Sequence, residues 1–265
     1  MTTLTIPELL ERIEYPDSDG LPMSDNTLQW YWMVLIKEGL EILFADDPNV
    51  FVAGNLLWYP VEGDNRFRMA PDVFVVKGRP KGYRGSYMQW REGGLPPQVV
   101  FEVLSPGNTA REMAEKTDLY DEYGVEEFYI YDPDRGTLRG FARRDGVWAP
   151  IPSMQNWVSP RLGIVFRLED GELVLTGPDG VRFISSVDRD RQWKQAESRA
   201  EQQQRRAEQQ QSRAEQQQRF AEEQQRLAEQ QQLLTEEQRR LAGQEKDRAD
   251  RLAAKLRAAG IDPDQ

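Results

Sequence analysis

The 265-residue chain contains no histidine and no cysteine. Without cysteine there are no disulfides, no thiolate metal sites and no cysteine nucleophile. Without histidine there is no Ser-His-Asp triad, no His-Glu-x-x-His metal site and no imidazole general base. Any chemistry must come from carboxylates, lysines, hydroxyls and a hard metal ion. The chain also lacks an apolar run of about 18 residues, so no membrane span is expected. Met1 to Leu10 carries neither a basic region nor a long apolar stretch, so no secretory signal is expected and a cytoplasmic location is.

What the chain does hold is unevenly distributed. It has 45 acidic and 34 basic side chains, a formal net charge of −11. Residues 188–265 carry 16 of each sign, so the whole net charge lies in residues 1–187. Beyond residue 187 the aromatics are Trp193 and Phe220. These shifts divide the chain into a globular segment, 1–187, and a Gln/Arg/Glu/Ala-rich tail, 188–260.

The tail is a seven-residue repeat. Arg-Ala-Glu-Gln-Gln-Gln starts at Arg199, Arg206 and Arg213. Its residue types favour helix, and no glycine or proline interrupts it before Gly243. One heptad register runs through Phe220, Leu227, Leu234 and Leu241, and the next through Ala200, Ala207, Ala214, Ala221 and Ala228. A coiled coil needs two apolar positions per heptad, and here the second is mostly Gln. A long helix that self-associates weakly into a homo-oligomer or docks on a partner, a solvated single helix and a disordered low-complexity segment are all compatible with this pattern.

The globular segment mixes helix and strand. Leu28, Tyr31, Trp32, Leu35 and Ile36 recur at helical spacing, with Asp25 or Asn26 as the cap, predicting a helix over 27–44. Strands are expected within 50–59 and over 73–76, 98–104 and 127–131. Hairpins are expected around Arg144-Asp145-Gly146 and Glu169-Asp170-Gly171. A helix over 110–123, capped by Asn108 or Thr109 and stopped by Gly124, falls between two apolar strands. The pattern is that of a mixed α/β or α+β domain.

Glu102 stands inside the apolar run Val99-Val100-Phe101-Glu102-Val103-Leu104. A buried glutamate is costly unless it is paired or binds a cation. A salt bridge to Lys116, on the following helix, satisfies it. So does a metal site shared with Asp72, which opens the 73–76 strand after Pro71. Mg²⁺ accepts one or two carboxylates and keeps several waters, and it can polarise a phosphate.

Pro71-Asp72, then Val100-Phe101-Glu102-Val103-Leu104-Ser105-Pro106, Lys116 and Tyr120, and then Tyr123-Gly124-Val125-Glu126-Glu127-Phe128-Tyr129-Ile130-Tyr131-Asp132-Pro133 follow in order. Over about residues 20–170 this string resembles the Uma-type endonuclease family of the restriction-endonuclease-like PD-(D/E)xK superfamily. The resemblance implies a mixed central sheet flanked by helices and a nuclease site dependent on Mg²⁺ (or Mn²⁺), acting on DNA. Asp72 and Glu102 match the acidic residues of the motif, and the Val103 carbonyl matches its further metal ligand. The motif lysine normally follows the second acid by two positions, where this chain has Leu104. Lys116 on the next helix matches it instead. Tyr120, one turn beyond, faces the same site or packs as a core tyrosine. Family members often add a residue from the first helix region, where Glu38 and Glu41 are the candidates, with Asp25 ahead of them.

Two basic clusters are weaker signals. The loop Gly78-Arg79-Pro80-Lys81-Gly82-Tyr83-Arg84-Gly85 interleaves cations and aromatics in a way that suits a nucleic-acid backbone. Arg135, Arg139, Arg143 and Arg144 are expected to decorate a hairpin. The sequence is therefore compatible with two functions. One is a metal-dependent endonuclease. The other is an inactive nuclease-like scaffold whose tail mediates oligomerisation or partner binding.

Overall fold

A computed structural model of the chain describes Leu10 and residues 13–258. The chain divides into two units, Met1–Arg191 and Gln192–Gln265.

The first unit is built on a six-stranded mixed sheet. Helix α1 (Thr27–Leu43) precedes β1 (Val50–Gly54), β2 (Trp58–Tyr59), β3 (Val73–Lys77) and β4 (Tyr87–Met88). Then come β5 (Val99–Val103), α2 (Ala110–Glu122), β6 (Glu127–Asp132), β7 (Thr137–Arg144) and β8 (Val147–Pro150). Finally β9 (Trp157–Val158), β10 (Val165–Glu169) and β11 (Glu172–Thr176) form a separate antiparallel sheet. The central order is β1-β3-β5-β6-β7-β8, antiparallel throughout except for β5 beside β6. That parallel pair is joined by α2, as parallel strands require a crossover.

Burial follows the period of two. Val73 and Val75 on β3, and Val99, Phe101 and Val103 on β5, face a layer made by Trp32, Leu35, Ile36 and Leu40 of α1 and by Phe166 and Leu175 of the second sheet. Phe74, Val76, Val100, Phe128 and Ile130 occupy the other face, against Met113 and Tyr120 of α2. Both faces of β3 and β5 are covered, which is why these strands read as unbroken apolar runs. Glu102 shares the α2 face by parity with Val100, and Asp72 by parity with Phe74.

The local signals resolve. Asn26, not Asp25, caps α1, its side chain accepting from the Leu28 and Gln29 amides. Thr109 caps α2 through the Glu112 amide, and Gly124 follows with a positive φ of 91°. The apolar run over 50–59 divides into β1 and β2 because Asn55 adopts the left-handed region, φ 48°, and its amide turns to the Asp72 carbonyl at 3.1 Å.

The described residues of the second unit are helical. Helix α3 (Ser186–Ala258) is 73 residues long. It carries a ladder of Gln-to-Glu side-chain hydrogen bonds at i, i+4: Gln204–Glu208, Gln211–Glu215, Gln218–Glu222 and Gln225–Glu229. Phe220, Leu227, Leu234 and Leu241 are exposed. No helix among the described residues is long and apolar enough to cross a membrane.

Gly39 lies on the buried face of α1, and a Cβ there would sit 2.2 Å from Cδ2 of Phe183. Gly39→Val is expected to lower stability by about 1–3 kcal/mol through overpacking, although helix propensity alone favours any residue but proline over glycine. Urea denaturation reads the effect as a lower midpoint with an unchanged slope, and Phe183→Leu in the same chain is expected to restore part of it.

Candidate active site

The register of β3 and β5 places Val73 opposite Phe101, so one step further Asp72 stands opposite Glu102. Both are buried, Asp72 at 7% and Glu102 at 3% exposure. Asp72 Oδ2 accepts from the Val103 amide at 2.7 Å. Glu102 takes two donors from one face of α2. Lys116 Nζ donates to Oε2 at 2.9 Å, and the Tyr120 hydroxyl donates to Oε1 at 2.5 Å. Lys116 and Tyr120 are four residues apart, which puts them on the same side of the helix. Tyr120 also stacks near Trp58, with centroids 6.3 Å apart and planes at 13°, and edges against Phe128. It is therefore both a core tyrosine and a ligand of Glu102.

The electrostatics follow from this crowding. Burial, and then the charge of Glu102 opposite, push the Asp72 carboxyl up to about 8, against the pull of the Val103 amide, Lys116 and Gln29. Burial works against the Lys116 charge, but Glu102 and then Asp72 outweigh it and hold the ammonium above its ordinary range. Burial and the neighbouring Glu102 raise the Tyr120 hydroxyl far above its usual range, so it stays a donor.

Helix α1 reaches the site through a residue the sequence reading passed over. Gln29, on the buried face of α1, donates through Nε2 to the Val103 carbonyl at 3.0 Å and accepts from the Asp25 amide through Oε1 at 2.8 Å. Asp25 in turn accepts from the Ser105 hydroxyl. The available signal was a glutamine standing one turn before Trp32 and Met33 on an apolar stripe. Val103 thus meets both sides of the site: its carbonyl already holds one donor, from Gln29, and its amide is bonded to Asp72.

A cleft of about 620 Å³ opens beside this cluster. Asp17, Asp19, Asp25, Asp72, Glu112 and Glu115 line it, with Lys116 and Arg68 as its cations among the described residues. A second cleft brings Glu38 together with Asp72, Lys37 and Asn55. Glu41 lies outside both clefts, exposed, and pairs with Lys37 at 2.8 Å. Among the described residues no group of three or more carboxylates is gathered closely enough to hold a metal ion, so Asp72 and Glu102 stand as a pair.

The basic loop is occupied internally. Arg84 Nε donates to Glu92 at 2.6 Å while its guanidinium lies over Phe51, and Lys81 donates to the Phe44 and Ala45 carbonyls. On the hairpin, Arg143 pairs with Asp121 at 2.5 Å and lies over Trp148. Phe44, Ala45, Phe51 and Asp121 belong to other elements of the fold, so Lys81, Arg84 and Arg143 tie the loop and the hairpin to the rest of the unit.

The model of the family described as "Uma2: Putative restriction endonuclease" matches residues 21–179. The chain belongs to the Uma2 family. Asp25, Gln29, Asp72, Glu102, Lys116 and Tyr120 all fall inside the matched span, and the repeat of α3 falls outside it. The family's description as a restriction endonuclease accords with a nuclease, and the mixed sheet with flanking helices is consistent with the restriction-endonuclease-like fold. A solved structure titled "Crystal structure of a putative nuclease belonging to DUF820 from Anabaena variabilis" is similar over 60% of this chain and 89% of that one, at 13% identity and a TM-score of 0.38. No curated protein matches the chain.

The raised Asp72 carboxyl sets a pH dependence for this Uma2 protein. A carboxyl with a folded-state pKa above its unfolded value stabilises most below the unfolded value, near 4, and that contribution is lost as pH rises towards about 8. Asp72→Asn is therefore expected to leave stability nearly unchanged at pH 4. At pH 8.5 it should raise stability by roughly 1–3 kcal/mol, less than the full linkage because Glu102 shares the charge. Denaturant midpoints of both proteins across this range test it, and parallel pH profiles would contradict it.

Proposed function

We propose that the protein is a divalent-metal-dependent endonuclease that hydrolyses phosphodiester bonds in DNA. The observation that carries this reading is the Asp72–Glu102 pair, opposed across β3 and β5, with Lys116 bonded to Glu102 beside an open cleft. The family's description as a restriction endonuclease supports DNA as the substrate.

The residues fit a divalent cation. Two buried carboxylates and one lysine leave an excess negative charge, and the proton that Asp72 keeps up to about pH 8 marks where a cation is wanted. Asp72, Glu102 and the Val103 carbonyl would hold Mg²⁺ or Mn²⁺. When bound, such an ion polarises a phosphate and lowers the pKa of a water.

The chain's own groups do the rest. Lys116 stays protonated and sets a positive charge beside the carboxylates, where it orients the attacking water and stabilises charge that develops on the phosphate. Tyr120 fixes the Glu102 carboxylate from behind and keeps its own proton. Gln29 orients the Val103 carbonyl. Glu38, which shares a cleft with Asp72, is the accessory carboxylate in this reading, while Glu41 serves α1 as a surface pair with Lys37.

Supercoiled plasmid is the direct assay. The wild type is expected to nick it with Mg²⁺ or Mn²⁺ and to stop on chelation, and Glu102→Gln and Lys116→Ala are expected to lose about a hundredfold or more. Equal nicking by wild type and Glu102→Gln would refute the assignment.

A separate measurement needs no substrate. At pH 7, Mg²⁺ is expected to displace about one proton, because the metal takes the ionised carboxylate. Calorimetry in buffers of different ionisation enthalpy then shows a buffer-dependent heat that Asp72→Asn removes. A buffer-independent heat would argue against metal at Asp72.

A further inference from the structure

The cleft presents a contradiction for an enzyme that takes a polyanion. Six carboxylates line it, against the two cations Lys116 and Arg68. Lys116 is bound to Glu102 at 2.9 Å. Arg68 is different. Its one described hydrogen bond runs from Nη1 to the Asn65 carbonyl at 3.1 Å, and among the described residues no carboxylate lies in ion-pair reach of it. A guanidinium has five donor hydrogens, so most of the capacity of this one is unspent on the described residues. By contrast, Arg84, Arg143 and Arg161 are each ion-paired within the fold.

The backbone holds Arg68 at a defined place relative to the acidic pair. Its neighbour Met69 exchanges two hydrogen bonds with Trp58, at 2.7 and 3.0 Å. Four residues on, the Asp72 carbonyl accepts from Asn55, and Val73 enters the β3–β5 ladder. Both ends of this short segment are pinned, and chain length alone keeps the two α-carbons within about 13–14 Å. Trp58 and Met69 are buried, so the anchor is part of the core.

We propose that Arg68 is the phosphate-binding residue of the cleft, taking a DNA backbone phosphate next to the one at Asp72 and Glu102. Arginine suits this role because its planar fork meets phosphate oxygens in pairs. The acidic rim then has a use: a strand that does not seat a phosphate on Arg68 meets six carboxylates and, of the cleft's cations, Lys116 alone, which Glu102 already engages. The inference rests on the endonuclease reading above.

The test is binding of a fluorescein-labelled DNA duplex by the full chain, followed by anisotropy over a salt series, with Ca²⁺ in place of Mg²⁺ to prevent cleavage. Arg68→Ala is expected to weaken binding about 10–100-fold. It should also reduce the slope of log affinity against log salt by about one. Arg68→Lys is expected to regain the salt slope, because the charge returns, but only part of the affinity, because the fork does not. In cleavage, Arg68→Ala is expected to raise KM more than it lowers kcat. Urea midpoints close to the wild-type value confirm that the variants fold. Unchanged slope and affinity in Arg68→Ala, with a wild type that binds and cuts, overturn the role of Arg68 and leave the nuclease reading standing. A wild type that neither binds nor cuts overturns both.

Discussion

The first unit is organised around the burial of one carboxylate. Glu102 lies in the central strand pair of the sheet, where an unpaired charge would cost several kcal/mol. Its oxygens are met by Lys116 and Tyr120, so α2 cannot rotate or slide on the sheet without stripping a donor from it. The same residue faces Asp72 across the ladder and raises it. Helix docking, strand register and site electrostatics are thus three results of satisfying one buried charge.

This arrangement carries a cost that apolar residues of similar size would avoid. Replacing buried ion clusters by well-packed hydrophobic side chains often leaves a protein as stable or more so. Here the cluster opens beside a cleft and includes a carboxyl that prefers its proton at neutral pH. Strain of this electrostatic kind is what a cation would relieve, and perturbed groups gathered at a cleft are typical of working sites. The scarcity of free positive charge in the unit points the same way. Its cations are largely spent on its own carboxylates and carbonyls, so attraction for a polyanion must come from few places.

The parts that were legible in the sequence were those with local signatures. An acid within an apolar run located Glu102, the four-residue spacing joined Lys116 to Tyr120, and cap chemistry bracketed α1 and α2. What sequence spacing concealed came from contacts between distant segments. Gln29 reads as a polar break in an apolar stripe until its partner 74 residues away, Val103, is seen. Arg84 reads as a loop cation until its guanidinium is seen over Phe51 of β1. The division of the 50–59 run depends on Asn55 reaching the Asp72 carbonyl, a contact that no alternation pattern encodes. Arg68 carries no motif, and its place beside the acids follows from the Trp58–Met69 bridge.

The hydrogen-bond ladder along α3 has a consequence for how that helix can vary. Every rung joins residues within one repeat or its neighbour, and the rungs recur at seven-residue intervals. Nothing in such a ladder depends on the total number of rungs. Duplication or loss of one coding repeat would change the helix by about 10 Å and leave each remaining contact intact. Its length is thus free to drift in evolution like the spacing of marks on a ruler, while the sheet, where each residue answers to a distant one, tolerates no comparable slip.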